Sequence, residues 1–317
     1  MKRILIVKTS SLGDVIHGLP AASDIRLHLP DALIDWVVEE PYAPLVALHP
    51  AVRRTVCVAL RRWRRALFSG TTWREIGEFR RRLGEEPYDA VIDLQGLVKS
   101  AVMARVARGS HHGFDAATAR EWLAACFYDV THPVARGCHA VERNRTLTAE
   151  ALGFSIDKHV DYGIAAPLPG ARQAKPYCVL LHMSSRRDKL WPEAAWIETG
   201  RALAARGLEC VLPWGSDEER LRSERIAREL DRALVPPFER LDRLAGLLGG
   251  ASAVVGVDTG LTHLAGALDR PLAAIYCGTD PRLTGVYGAR RAKNLGGPRA
   301  QPSPKEVLQA LESMGAF

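Results

Sequence analysis

The chain has 317 residues, of which 47% are hydrophobic and 25% are charged. These globular proportions exclude a disordered chain, and the sequence has no run near the roughly 20 apolar residues that a membrane span needs. The length suits two domains of about 150 residues each. The formal net charge is +7, with basic residues concentrated at 61–65 and 80–82, which indicates a partner that carries several negative charges.

Strand-like and helix-like runs alternate along the whole chain. The runs that predict strands are residues 4–7, 34–38, 55–60, 90–94, 177–182, 209–214, 233–235, 253–257 and 272–276. Amphipathic runs at 192–205 and 217–230 predict helices, and Ser303-Pro-Lys-Glu306 predicts a capped C-terminal helix. Such alternation is typical of parallel sheets with helices on both faces. We therefore expect two doubly wound, Rossmann-like α/β domains, 1–165 and 166–317, joined near the segment 163–176. Ligands are expected to bind in the cleft between the two domains.

The first predicted strand leads into the turn KTSSLGD, residues 8–14, and then into a helix. Only four apolar residues precede Lys8, which predicts a strand rather than a secretory signal. The turn has neither the glycine pattern of a dinucleotide-binding motif nor that of a P-loop. It does place Asp14 at a strand end where a helix begins. The carboxylate is expected to cap that helix or to accept a proton from a substrate hydroxyl, and one side chain can do both.

The basic run RRWRR, residues 61–65, has two interpretations. It is either a solvated helix face or loop, or a surface for a polyanion such as an anionic substrate, a phospholipid surface or a nucleic acid. Nucleic acid is disfavoured, because the sequence has no evident aromatic stacking platform and no helix with basic residues along one face.

Polar side chains follow two of the predicted strands in the second half. Ser184, Ser185 and Lys189 come after the strand at 177–182, where hydroxyls and an ammonium group suit a phosphate or diphosphate. Glu219 opens the helix after the strand at 209–214 and is expected either to bind ribose hydroxyls or only to favour the helix dipole. Each segment taken alone is also compatible with an ordinary polar loop.

A third strand end carries an Asp-Thr-Gly turn. Residues 253–257 are continuously small and apolar, as in a strand covered on both faces, and a helix begins directly after Asp258. The amides of the first turn, Thr259 to Thr262, are expected to point at an anion, favoured by the positive end of the helix dipole. The alternative is an ordinary βα turn that Asp258 holds together. A bound nucleotide with its diphosphate would explain why all three strand ends carry such polar groups.

The sequence offers no metal-binding pattern. His111, His112 and His139 do not have the spacing of metal ligands, and a D-x-D element is missing. The six cysteines form no C-x-x-C pair, which is typical of a reducing cytoplasm. Chemistry without a metal or another cofactor is therefore expected.

Seven short motifs together resemble the ADP-heptose:lipopolysaccharide heptosyltransferases, glycosyltransferase family 9. They are ILIVKTSSLGD (4–14), DWVVEE (35–40), RRWRR (61–65), DLQGLVKS (93–100), HAVER (139–143), KLWP (189–192) and VDTGLTH (257–263). Their order and spacing span almost the whole chain. KTSSLGD and RRWRR favour the branch that attaches the first inner-core heptose over the branch that attaches the second.

This resemblance implies a GT-B glycosyltransferase. It would transfer L-glycero-D-manno-heptose from ADP-heptose to Kdo of Kdo2-lipid A, with inversion, without a metal, at the cytoplasmic face of the inner membrane of a Gram-negative bacterium. Asp14 then matches the catalytic base, and Lys189 acts on the departing ADP. Donor-site positions are Ser184, Ser185, Lys189, Glu219, Asp258, Thr259, Gly260, Leu261 and His263, with Asp217 or Glu218 as alternatives to Glu219; acceptor positions are Arg61, Arg62, Arg64, Arg65 and Arg120. A second heptosyltransferase type or another GT-B nucleotide-sugar transferase is the alternative.

Overall fold

The computed structural model describes residues 1–164 and 175–317, and the chain divides into two compact units, Met1–Ile164 and Ala165–Phe317. Most of the expected linker, 163–176, lies outside the described residues. No helix in the described part of the chain is both long and apolar enough to cross a membrane.

The first unit is a six-stranded parallel sheet with helices between the strands. Its strands are β1 (Arg3–Val7), β2 (Leu33–Glu39), β3 (Val52–Val58), β4 (Ala90–Asp93), β5 (Ser110–Phe114) and β6 (Val130–His132). Its helices are α1 (Leu12–His28), α2 (Ala43–Val46), α3 (Leu60–Arg65), α4 (Gly70–Gly84), α5 (Val98–Ala104) and α6 (Ala140–Leu152), with short 3₁₀ turns at Glu40–Tyr42 and Trp122–Phe127. The strand order is β3-β2-β1-β4-β5-β6.

The second unit repeats this plan. Its strands are β7 (Tyr177–Leu181), β8 (Glu209–Val211), β9 (Ala233–Leu234), β10 (Ala253–Val257), β11 (Leu272–Tyr276) and β12 (Ala292–Gly296). Its helices are α7 (Glu193–Ala205), α8 (Asp217–Arg228), α9 (Leu241–Gly249), α10 (Gly260–Ala267), α11 (Pro281–Thr284) and α12 (Pro304–Glu312), with a 3₁₀ turn at Arg187–Lys189. The order β12-β11-β10-β7-β8-β9 is the order of the first unit read from the other edge.

All nine predicted strands are present, although their ends differ by a few residues. The strand expected at 55–60 ends at Val58, and Leu60 instead begins α3. The capped C-terminal helix is confirmed, because Ser303 and Glu306 exchange hydrogen bonds around Pro304.

Three strands, β5, β6 and β12, were missed because their sequences are polar. In β5 the side chain of His111 is buried and is satisfied by the carboxylate of Asp129 (3.0 Å) and by the carbonyl oxygen of Ala104 (3.0 Å). Strands β6 and β12 are edge strands, and edge strands need no continuous apolar run.

Candidate active site

Each sheet reverses its strand order at its centre, and the candidate catalytic and donor-site residues follow the strands beside this reversal. In parallel α/β sheets, ligands bind beyond the carboxyl ends of the strands at this reversal. The reversal lies between β1 and β4 in the first unit and between β7 and β10 in the second. Asp14 follows β1, whereas Lys189 follows β7 and Asp258 follows β10.

Asp14 occupies the third position of α1 and caps the helix. Its Oδ2 accepts hydrogen bonds from the backbone N and the Oγ of Ser11, each 3.1 Å long. Its other oxygen, Oδ1, lies 3.1 Å from Nη2 of Arg120. The capping interpretation is therefore correct, and it leaves one carboxylate oxygen in contact with an exposed cation.

The surroundings of Asp14 favour its ionised form. Burial opposes ionisation, but the positive charges of Lys8 and Arg120 and the hydrogen bonds from Ser11 outweigh it, so the pKa of Asp14 is lowered. Lys8 is itself buried, and its Nζ donates to the carbonyl oxygen of Leu94 (2.6 Å). An ionised carboxylate at neutral pH can accept a proton.

Sequence reasoning missed Gln95, which holds the turn before Asp14. Its Oε1 accepts a hydrogen bond from Thr9 N (3.0 Å), and its Nε2 donates to Ser10 O (2.5 Å). Asp93 fixes Gln95 in turn by accepting from its backbone N (2.8 Å). The available signal was the polar DLQG sequence directly after β4, because β4 pairs with β1.

In the second unit, Asp258 is the centre of a buried polar cluster. Its Oδ2 lies 2.7 Å from Lys189 Nζ and accepts a hydrogen bond from Thr279 Oγ1 (2.6 Å), and its Oδ1 lies 3.6 Å from His263 Nε2. Burial opposes ionisation, but the hydrogen bonds from His263, Lys189 and Thr279 hold the pKa of Asp258 well below its usual range. Thr279 was also missed; it follows β11, the strand next to β10.

The loop after β7 is tied to the turn after β10. Ser184 Oγ donates to the carbonyl oxygen of Asp258 (3.0 Å), whereas the neighbouring Ser185 is exposed. Together with the Lys189–Asp258 pair, this contact brings the first and third predicted strand ends into one site.

Helix α10 begins at Gly260, so the helix expected after Asp258 is present, and Thr259 occupies its N-cap position. One expectation was wrong: the amide of Thr262 donates to the carbonyl oxygen of Thr259 (3.1 Å) and is not free for an anion. The amides of Thr259, Gly260 and Leu261 remain from the predicted set at the start of the helix.

Glu219 serves as a cap in this structure. Its Oε2 accepts from Gly215 N (2.7 Å), while its own amide donates to Ser216 Oγ (3.3 Å). The neighbouring Glu218 instead lines a cavity of about 440 Å³, together with residues that include Met183 and Arg222. Glu218 is exposed and Glu219 is half-buried, so Glu218 is the more accessible of these two carboxylates.

The basic run at 61–65 forms most of helix α3. Arg61, Arg64 and Arg65 are exposed, whereas Arg62 pairs with Glu40 (2.8 Å) and Glu75 (2.7 Å). Trp63 of the same helix is buried in the core of the first unit, and its Nε1 donates to Glu75 (2.7 Å).

The profile of Glycosyltransferase family 9 (heptosyltransferase) matches residues 76–313. Lipopolysaccharide heptosyltransferase 1 of Salmonella typhimurium is 46% identical, over 99% of this chain and 98% of that protein. Two solved structures are similar, each 44% identical and covering 98% of this chain and 99% of theirs. They are the E. coli heptosyltransferase WaaC with ADP, with a TM-score of 0.91, and the same enzyme with ADP-2-deoxy-2-fluoro heptose, with a TM-score of 0.88.

These likenesses and the two parallel six-stranded sheets confirm the expected GT-B fold. The family match spans more than half of the chain, and the identity to the Salmonella protein extends over nearly all of it. The chain therefore belongs to glycosyltransferase family 9, the heptosyltransferases.

Proposed function

We propose that this glycosyltransferase moves L-glycero-D-manno-heptose from ADP-heptose to Kdo of Kdo2-lipid A, with inversion and without a metal. The observation that carries the donor assignment is the 44% identity, over 98% of this chain, to an enzyme solved with ADP-2-deoxy-2-fluoro heptose. The acceptor assignment is supported by the likeness to lipopolysaccharide heptosyltransferase 1 and by the exposed arginines of α3.

The proposed reaction is one in-line displacement. Asp14 accepts the proton of the acceptor hydroxyl while that oxygen attacks the anomeric carbon and the bond from this carbon to the ADP oxygen breaks. Lys189 and the amides of Gly260 and Leu261 stabilise the negative charge that develops on ADP. Because the base and the cation belong to different units, transfer requires both units to engage one donor–acceptor pair.

A donor and acceptor panel tests this function. We expect turnover with ADP-heptose and Kdo2-lipid A, and little turnover with UDP- or GDP-sugars. A preference for a UDP- or GDP-sugar would indicate another GT-B transferase. A preference for an acceptor that already carries one heptose would indicate the second heptosyltransferase type.

The exposed arginines of α3 are proposed to bind the anionic acceptor. We expect Arg61→Gln/Arg64→Gln to raise the acceptor KM at least tenfold and to leave the ADP-heptose KM nearly unchanged, because charge-assisted contacts contribute about 1.5–3 kcal/mol each. Steady-state kinetics at low salt measure both constants. Added salt should bring the wild type closer to the variant, since exposed charges are screened over about 10 Å at 0.1 M.

The matched control is Arg26→Gln/Arg108→Gln, which removes two exposed arginines elsewhere in the first unit, each hydrogen-bonded to a backbone carbonyl oxygen. An equal rise of the acceptor KM in the control, or no rise in the α3 variant, would contradict the acceptor role. Arg62 is left in place because its two ion pairs hold α3 against its neighbours.

We propose that the turn between α3 and α4 makes the peripheral membrane contact. Phe68 is fully exposed, and Leu67 and Trp73 are 51% and 61% exposed. Trp73 Nε1 donates to the carbonyl oxygen of Leu67 (2.9 Å), which closes the turn next to the arginines of α3. Exposed apolar side chains beside basic residues are typical of a surface that enters the headgroup region of an anionic bilayer.

Vesicle flotation tests this contact with liposomes that contain an anionic phospholipid. We expect Leu67→Ser/Phe68→Ser to reduce the bound fraction severalfold. The binding free energy weakens by about 25 cal/mol for each Å² of apolar surface that is no longer transferred from water into the bilayer. Leu27→Ser is the control, since Leu27 is 66% exposed on α1 of the same unit. Equal binding of the double variant and the wild type would refute this surface.

A further inference from the structure

Three arginines converge on one short segment of the first unit. Arg143 Nη2 donates to the carbonyl oxygen of Thr118 (2.6 Å), and Arg136 Nη2 donates to the carbonyl oxygen of Ala119 (2.6 Å). The next residue in the chain is Arg120, which is exposed. The protein thus holds three guanidinium groups close together at the end of the sheet where β5 and β6 finish.

Arg136 and Arg143 have no carboxylate partner among the residues that the structure describes. Arg143 lies instead over the ring of Phe114, with its guanidinium carbon 4.6 Å from the ring centre. Its Nε is buried and lacks a hydrogen-bond partner within the same described residues. Burial, followed by repulsion from Arg136 and Arg120, lowers the pKa of Arg143.

Asp14 and Asp93 interact electrostatically with Lys8, and neither is paired with Arg136 or Arg143. Asp14 contacts the cluster through Arg120, and Asp93 is fully buried, with its pKa raised by that burial. Lys8 adds a fourth cation: burial lowers its pKa to about 8, and Arg120 and Arg143 contribute repulsion to that shift. Two guanidinium groups that are held in place by backbone carbonyl oxygens and not by carboxylates keep their charge available for an anion.

We propose that Arg120, Arg136 and Arg143 form an anion subsite, which binds a carboxylate or phosphate group of the acceptor beside Asp14. The proposal rests on the function proposed above and adds Arg136 and Arg143 to the acceptor site. Planar guanidinium groups match the oxygens of both anions in geometry. Because Arg120 also contacts Asp14, an anion held there would orient the acceptor hydroxyl toward the base.

Isothermal titration without donor tests the subsite directly. The probes are free Kdo, which carries a carboxylate and no phosphate, and inorganic phosphate. We expect the wild type to bind at least one probe and Arg136→Gln and Arg143→Gln each to weaken that binding about tenfold or more. Arg108→Gln is the matched control, because Arg108 also donates to a backbone carbonyl, that of Gly84 (2.9 Å), but lies before β5 and therefore at the opposite end of the strands.

Equal affinity of the wild type and both variants, or no binding of either probe to the wild type, would overturn the subsite. Thermal unfolding checks the fold of each variant. Arg136 is exposed, so its variant keeps the test decisive if Arg143→Gln does not fold. Arg143→Lys keeps the charge and loses the planar fork, and we expect it to bind with intermediate affinity.

Transfer assays then identify the anion on the acceptor. If the variants raise the KM for Kdo2-lipid A and for the same acceptor without its lipid A phosphates, the bound group is a carboxylate. A KM effect that disappears with the dephosphorylated acceptor identifies a phosphate. The titrations need no turnover, so the two proposals can fail separately. Probe binding without transfer from ADP-heptose would overturn the proposed function alone. Transfer with an unchanged acceptor KM in both variants would overturn the subsite alone.

Discussion

Replacing Asp14 with Asn is expected to lower kcat by about 10²–10⁴, the usual range for the loss of a general base. Asn can still accept a hydrogen bond from the backbone N of Ser11, so the cap of α1 is largely preserved. The substitution therefore removes the basic group without removing the helix cap. Steady-state kinetics and donor titration measure the effect, and ADP-heptose binding should remain close to that of the wild type.

Asp14→Ser is the companion variant, because Ser has a smaller polar side chain with no carboxylate that could act as a base. A folded Asp14→Asn enzyme with near-normal turnover would reduce Asp14 to a helix cap. Loss of donor binding together with turnover would point to a disturbed fold instead. The unfolding midpoint separates this last case from the other two.

The pH dependence of kcat/KM gives a second measurement on Asp14. Lys8, Arg120 and Ser11 lower its pKa below the ordinary value of 3.8 despite its burial. The carboxylate is therefore ionised throughout the neutral range, and protonation removes the base only when the pH falls below that ordinary value. We expect no acid limb from Asp14 above about pH 5. A fall of kcat/KM near neutral pH that disappears in Asp14→Asn would contradict the lowered pKa of Asp14.

The fold was predictable where strands are buried on both faces. Runs such as 253–257 and 272–276 are continuously apolar because helices cover both sides of the sheet. The same criterion fails for β5, since His111 is buried by virtue of its hydrogen bonds and not its hydrophobicity. Hydropathy patterns detect apolar burial and do not detect a polar side chain whose partners come from distant parts of the chain.

The site was predictable in its elements and less so in its contacts. Strand ends and helix starts are local features, so Asp14, Lys189 and Asp258 were identified from their positions in the sequence. Contacts between strands that are adjacent only in the sheet are not local. Gln95 reaches Thr9 across 86 positions of the chain, and the pattern of neither segment indicates the other.

Replacing Lys189 with Met is expected to lower kcat/KM for ADP-heptose by about 10²–10³, the range for the loss of one group that stabilises developing negative charge. Met keeps much of the apolar stem and removes the ammonium group. The effect on the acceptor KM should be small, because the acceptor groups proposed here lie in the first unit. Donor and acceptor kinetics on the same preparation separate the two constants.

The Lys189–Asp258 contact of 2.7 Å makes a second interpretation possible, in which the lysine only neutralises a buried carboxylate. Removing one partner of a buried ion pair costs about 3–5 kcal/mol, because it leaves an uncompensated charge. The double variant Lys189→Met/Asp258→Asn distinguishes the two interpretations. A structural pair predicts that the double variant recovers both stability and activity. A leaving-group cation predicts that it recovers stability and remains defective with ADP-heptose.

The same cation accounts for the proposed independence of metal ions. If Lys189 and the amides of Gly260 and Leu261 stabilise the departing diphosphate, the wild type should keep full activity in excess EDTA. The chelated enzyme is the direct comparison for Lys189→Met, since chelation removes any divalent ion, whereas the substitution removes the ammonium group proposed to contact the leaving group. Loss of wild-type activity in EDTA that magnesium or manganese restores would assign that charge to a divalent ion, and a Lys189→Met enzyme with normal kcat/KM would exclude the lysine.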